Sequence, residues 1–217
     1  MKAPFLAFSC LFHFASALWP MPRDLETGTT LLKLSSNFDI KVNDIPKPPQ
    51  DLLDAISRTK SRLQTDQLHR LIVGRGANDS AALTNAPSLA QLTVTLTPNS
   101  PPIQSIMKEA TKEIMTRSES YSLTIPDKDQ GVATLTANSS LGLLRGLTTF
   151  EQLWYQVSRT VYSYQAPVQI TNDSPAYVRV PMCTLMTIYL YCCPLFCFVS
   201  HIAGSCWIRQ GTCGFLS

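Results

Sequence analysis

The amino-acid sequence predicts an α+β fold: a mostly antiparallel sheet with two helices packed on one face. Three features predict it. Short runs that alternate apolar with polar residues recur along the chain, as half-buried strands require. Two longer segments instead repeat apolar residues at intervals of three and four, the spacing of one helix face. These segments follow one another without the regular strand–helix–strand rhythm of a parallel sheet.

In chain order, "TTLLKL" and "FDIKV" read as two short strands parted by Ser35, Ser36 and Asn37, a turn cluster. "IPKPPQ" is a proline break. "DLLDAISRTKSRLQTDQL" places Leu52, Ile56 and Leu63 at helical spacing, with Leu53 beside them, and Asp51 with Asp54 has the form of a capping box. "RLIVG" either prolongs that helix or forms a strand. "SLAQLTVTLTP" alternates Leu92, Val94 and Leu96 with Thr93, Thr95 and Thr97. "ESYSLTIP" and "GVATLTA" alternate in the same way, and the loop "PDKDQG" between them predicts an antiparallel pair.

"NSSLGLLRGLTTFEQLWYQV" is the second helix, with Leu143, Leu147, Phe150, Trp154 and Val157 on one stripe and Asn138 or Ser139 at its cap. Gly142 and Gly146 lie four apart on one face, where a backbone can approach closely. Each disfavours the helix by about 1 kcal/mol against Ala, so packing has to offset the loss. "APVQIT" makes a last strand and "NDSP" a turn. Residues 18–177 form the predicted domain, long enough to bury a core.

The ends differ from this body. Lys2 precedes an apolar run from Phe5 to Phe14, too short to span a bilayer, and Ala15-Ser16-Ala17 has the small-x-small form that signal peptidase cuts. Residues 1–17 therefore read as a signal peptide, with maturation near Leu18; the plainer alternative is a buried N-terminal helix. Secretion permits N-glycosylation, and sequons occur at Asn78, Asn138 and Asn172. Asn78 lies in a loop-like stretch, Asn138 can serve as a helix cap instead, and Asn172 is followed by Ser174-Pro175.

Residues 178–217 hold Cys183, Cys192, Cys193, Cys197, Cys206 and Cys213, while the body holds no cysteine at all. Beyond Tyr177 only Arg179 and Arg209 carry fixed charge. Met182 to Ile208 is long enough to span a membrane, although Pro194, His201 and Gly204 weaken a helix there. A disulfide knot lacks the turn residues that a small scaffold needs. The favoured reading is translation through an unspliced intron, which leaves the tail outside the fold. Transcript sequencing decides this: a mature messenger that retains the segment as its main form counts against it.

The chemistry is sparse. A net charge of +3 without any Lys/Arg cluster excludes a nucleic-acid partner. His69 is the only histidine of the body and reads as a surface or cap residue. Gly74-Arg75-Gly76 lacks the further glycine and Lys-Ser/Thr of a phosphate loop and reads as a turn. Glu109 and Glu113, interleaved with Lys108 and Lys112, read as a solvated helix face. Asp127 and Asp129 read as turn residues. No apolar setting raises the pKa of either pair toward acid catalysis, and no catalytic residue, metal ligand or cofactor is expected.

"LWPMP", "LLKLSSNFDI", "DLLDAISRTKSRL", "RLIVGRG", "ESYSLTIP", "ATLTANSSLGLLRGLTTFEQLWY" and "APVQITNDSPAY", in that order, resemble the N-terminal domain of fungal β-N-acetylhexosaminidases of glycoside hydrolase family 20. The resemblance implies a small α+β domain preceding a (β/α)8 barrel. In that barrel an Asp-Glu pair acts by substrate assistance: the sugar's 2-acetamido oxygen attacks the anomeric carbon, Asp orients it and Glu is general acid/base. The implied activity is release of terminal N-acetylglucosamine or N-acetylgalactosamine from chitin oligosaccharides and glycans. The implied partners are therefore the barrel and amino-sugar glycans; membrane contact would come only through 182–208, as the alternative of a tethered or carbohydrate-binding accessory module. After "DSPAY" the family continues Arg-Gly-x-x-x-Asp-x-x-Arg, whereas this chain reads "VRVPMCTLMT". Arg179 is given no sugar-binding role, and the chain is expected to be a truncated, inactive form. Gly142, Arg145, Gly146 and Trp154 carry the family's structural and docking roles.

Overall fold

The computed structural model describes residues 18–174. The proposed signal peptide and the cysteine-bearing tail, Arg179 included, lie outside the described residues. The elements are β1 (Leu25–Val42), α1 (Gln50–Thr65), α2 (Ser80–Leu83), β2 (Ser88–Leu96), α3 (Ile106–Ala110), β3 (Tyr121–Ile125), β4 (Gly131–Ala137), α4 (Ser140–Gln152), β5 (Tyr155–Val157) and β6 (Thr160–Asp173).

The fold is the expected α+β type, one six-stranded sheet in the order β1-β2-β4-β3-β6-β5. The β3–β4, β3–β6, β1–β6 and β5–β6 pairs are antiparallel, and β3–β4 is the predicted hairpin, with Tyr121 opposite Ala137. The β1–β2 and β2–β4 pairs are parallel, which alternation alone does not reveal. Residues 35–37 do not end a strand. β1 runs unbroken for 18 residues and takes up the Ser-Ser-Asn cluster as a register shift between Leu34 and Asp39. Its first half pairs with β6 and its second half with β2. The pairings thereby close on themselves through β1, β2, β4, β3 and β6, leaving little strand edge open.

α1 and α4 pack side by side over this sheet. α1 buries Leu52, Ala55, Ile56, Thr59 and Leu63. The predicted capping box is absent: Pro49 occupies the cap position, and Asp51 Oδ2 accepts instead from the Met107 N–H at 3.2 Å, joining α1 to α3. Thr59 Oγ1 and Arg62 Nη1 donate to the two carboxylate oxygens of Glu151 on α4, at 2.5 and 3.1 Å, fixing one helix against the other. α4 starts at Ser139, whose Oγ accepts from the Gly142 N–H at 3.0 Å.

The stripe read as one helix face divides. α4 ends at Gln152, because Tyr155–Val157 pairs with the start of β6. Leu143, Leu147, Phe150 and Trp154 enter the main core, with Phe150 stacked on Phe38 at 6.0 Å between ring centroids and tilted against Trp154 at 5.5 Å. Val157 joins a smaller cluster with Leu83, Ala86 and Tyr162. Residues 71–73 form neither helix nor strand: they sit in turns, with Leu71 and Val73 exposed.

Gly142 and Gly146 face the sheet. A Cβ on Gly142 would press into the Ser120 carbonyl oxygen and come within 2.9 Å of the Ala137 Cβ. One on Gly146 would meet the Leu135 side chain and lie 3.1 Å from Tyr121 Cδ2. The obstacle is backbone at Gly142 and a movable methyl at Gly146. Alanine at Gly142 is therefore expected to destabilise by about 1–3 kcal/mol through overpacking, which exceeds the ~1 kcal/mol helix gain. Alanine at Gly146 should be the milder change. Denaturant midpoints of the two variants test this, and equal or reversed losses would contradict the assignment of the rigid contact.

Asp129, in the β3–β4 loop, anchors the start of β2: its Oδ1 accepts from both the N–H and the Oγ of Ser88 at 2.8 Å. The Ser88 N–H bond, then the hydroxyl, hold the carboxyl below its ordinary pKa. A pKa lowered by folding means a contribution present above the ordinary carboxylate range and lost as pH falls through the folded value. Acid-induced loss of stability should thus be shallower in Asp129→Asn than in the parent. Thermal midpoints between pH 5 and pH 2 measure it, and superimposable curves would refute the anchor.

Candidate functional site

Of the carboxylates that the sequence offers for chemistry, Glu109 and Asp129 are tied into the fold, whereas Glu113 and Asp127 are exposed. Glu109 is buried, not on a solvated face, because five-residue α3 lies against α1 and α4; its two oxygens bind Lys112 Nζ at 2.8 Å each. Glu113 lies past the end of α3, so the two glutamates do not share a helix face. Glu119 holds Arg145 Nε at 2.9 Å, and Asp173, buried at the end of β6, accepts from the Arg23 N–H at 3.2 Å.

Two clefts bear on catalysis. The wider, about 560 Å³, lies between residues 44–47 and 96–103 and holds one carboxylate, Asp44. Asp66 and Glu151 share a second cleft of about 120 Å³ with Arg62 and Trp154. That volume is far below the several hundred Å³ typical of ligand sites. Glu151 is moreover committed to Thr59 and Arg62. His69 Nδ1 is 3.0 Å from the Gln156 carbonyl, at the surface. Among the described residues no group of three or more His, Cys, Asp or Glu could hold a metal ion.

A polar cluster that sequence reasoning missed joins the segment before β2 to β6. Asp79 Oδ2 accepts from Arg70 Nη1 and from the Tyr162 hydroxyl, both at 2.7 Å. The Arg70 guanidinium lies 3.9 Å over the Tyr164 ring, and Tyr155 packs against both tyrosines. Burial, with Asp79 next, pushes the Tyr162 hydroxyl well above its ordinary pKa, so it stays a donor. The Tyr-x-Tyr alternation of "VYSYQ" marks a strand, but nothing in it names Arg70 and Asp79 as partners. Gly74-Arg75-Gly76 lies in the intervening turns, where both glycines and Arg75 have positive φ.

The remaining expected positions are dispersed. Gly142 and Gly146 line the α4–sheet contact, Arg145 is paired with Glu119, and Trp154 is buried among the core aromatics. Asn78 is exposed in the single 3-10 turn Ala77–Asp79 that leads into α2, Asn138 is exposed immediately before the α4 cap, and Asn172 is exposed near the end of β6. The Asn172 side chain accepts from Ser120 Oγ.

These side chains take part in the packing of the domain, and comparisons with known proteins identify that domain. Residues 18–153 match the family described as beta-acetyl hexosaminidase like. The chain is 33% identical over 170 residues to the beta-hexosaminidase subunit beta of Felis catus, covering 75% of this chain and 28% of the relative. It is 34% identical over 158 residues to the subunit beta of Rattus norvegicus, covering 70% and 26%. The chain thus spans little more than a quarter of the relatives it matches. Among solved structures, Flavobacterium johnsoniae chitobiase is similar over 72% of this chain and 20% of its own, at 21% identity and a TM-score of 0.43. A Vibrio harveyi exo-β-N-acetylglucosaminidase is similar over 75% and 19%, at 14% identity and a TM-score of 0.41. With the match to residues 18–153 extending over more than half of the sequence, the chain belongs to the beta-acetyl hexosaminidase-like N-terminal domain family of glycoside hydrolase family 20.

Proposed function

We propose that residues 18–174 are the non-catalytic supporting domain of a secreted β-N-acetylhexosaminidase. In this reading a separate (β/α)8 barrel releases terminal N-acetylglucosamine or N-acetylgalactosamine from chitin oligosaccharides and glycans by substrate assistance. The domain packs beside that barrel as its partner. One observation carries the proposal: Glu109, Glu119, Asp129 and Asp173 are spent on cations, a hydroxyl and backbone N–H groups, and the cleft shared by Asp66 and Glu151 is, at about 120 Å³, too small for a sugar. A general acid needs the opposite setting, an apolar pocket with room for the glycosidic oxygen.

Secretion is part of the same proposal. At the expected cleavage point Leu18 is buried in the core, and the Trp19 N–H and carbonyl bond the Gln152 side chain at 2.6 and 2.9 Å. The chain is thus fastened to the end of α4 from its first mature residues. No helix among the described residues is long and apolar enough to cross a membrane.

The purified chain should release no p-nitrophenol from p-nitrophenyl N-acetylglucosaminide above the buffer rate. Turnover abolished by Glu151→Gln would place an acid in this domain and overturn the proposal. N-terminal sequencing of the product exported by a eukaryotic host should begin at Leu18; retained Met1 would argue against secretion.

A further inference from the structure

The segment between α1 and α2 combines two features that oppose each other. Leu71 and Val73 expose 92% and 98% of their surfaces, and Leu68 and Ile72 are exposed beside them. A contiguous apolar group of this kind in water marks a surface that something covers. The loop is also held firmly. The N–H groups of Arg75, Ala77 and Asp79 donate to the carbonyls of Ile72, Gly74 and Gly76, giving three successive tight turns. Arg70 and Asp79 then join its two ends, with Asp79 fixed in turn by Tyr162. The apolar tip therefore has a set position next to residue 78.

Residue 78 is the asparagine of a sequon, Asn78-Asp79-Ser80. Asn78 and Ser80 are both exposed, and the Asn78 amide makes no hydrogen bond among the described residues. The other two sequons are less accessible. Ser140, the hydroxyl residue of the Asn138 sequon, is fully buried in the first turn of α4. At Asn172 the amide oxygen is taken by Ser120 Oγ and the main-chain N–H by Ser122 Oγ at 2.9 Å, with Asp173 buried between sequon positions.

We propose that Asn78 is an N-glycosylation site and that its glycan covers the apolar loop Leu71–Val73. The inference rests on the secreted reading and chooses one sequon of three. The co-reactant is a lipid diphosphate-linked oligosaccharide. The Asn78 Nδ2 attacks the anomeric carbon, a C–N bond forms, the bond from that carbon to the phosphate oxygen breaks, and the lipid diphosphate leaves with the electron pair. The amide proton passes to a base of the transferase. The product places a bulky hydrated group beside the side chains that water solvates worst.

The test uses the full chain exported from a eukaryotic secretory host. Enzymatic glycan release followed by peptide mass spectrometry should show Asn78 converted to Asp. Asn78→Gln and, independently, Ser80→Ala should each lose one glycan. Both should shift from monomer toward aggregate in size-exclusion chromatography, and Leu71→Ser with Val73→Ser should restore the monomer in either background. An exported chain glycosylated at Asn138 or Asn172 but not at Asn78 overturns the inference and leaves secretion standing. Glycan-free variants as monomeric as the parent overturn the covering role. A chain retained in the cell without any glycan overturns the inference together with the secreted reading.

Discussion

The close seating of α4 on β3 and β4 is the constraint on which the rest of the domain depends. It is possible because Gly142 and Gly146 present no side chain where the Ser120 carbonyl, Ala137, Leu135 and Tyr121 come against the helix. That proximity carries Leu143, Leu147 and Phe150 to the bottom of the core, where Phe150 meets Phe38 of β1 and then Trp154. The intrinsic helix penalty of two glycines, about 1 kcal/mol each, is small beside burial of several large side chains at roughly 1.5–3 kcal/mol apiece. Tyr121 adds a polar stop beneath the helix, with its hydroxyl 2.8 Å from Thr149 Oγ1.

From this seat the other contacts follow outward. With α4 fixed, Glu151 reaches Thr59 and Arg62, so α1 is set by a polar contact as well as by its apolar face. At the end of α4 the Gln152 amide clasps the main chain of Trp19. Beneath the helices, β1 serves two sheet neighbours in succession and closes the circuit of pairings. Residues 68 and 69 shield three-residue β5 on its outer side, where the Gln156 N–H donates to the Leu68 carbonyl at 2.6 Å. Exposed strand edges invite pairing with other chains, and this arrangement offers few.

Much of this was legible in the sequence, for a local reason. Strand alternation in residues 88–96 and 121–137, and the apolar spacing of α1 and α4, depend on neighbours within a few positions, which a sequence displays directly. What was misread depends on distant partners. The Ser35–Asn37 cluster carries turn residues, yet β2 and β6 hold both of its flanks and turn it into a bulge. Asp51 has the spacing of a cap but finds the Met107 N–H, 56 residues away. Trp154 and Val157 continue a helical period past the point where pairing with β6 ends the helix. Arg70 and Asp79 meet through the tyrosines of β6, which no local pattern encodes.

The same distinction explains why the functional reading rests on where side chains are directed and not on which are present. The body contains carboxylates, a histidine and an aromatic cluster, the raw material of many active sites. Catalysis requires such groups to face a space, unpaired and desolvated, so that their protonation state is set by the substrate. Here Glu109 faces Lys112, Glu119 faces Arg145, Asp79 faces Arg70 and Tyr162, and Asp129 faces Ser88. Each of these carboxylates is directed at a partner within the domain and not into an open space. Glu109, Glu119, Asp79 and Asp129 thus hold the domain's own loops and helices in place, and that is where their side chains are spent.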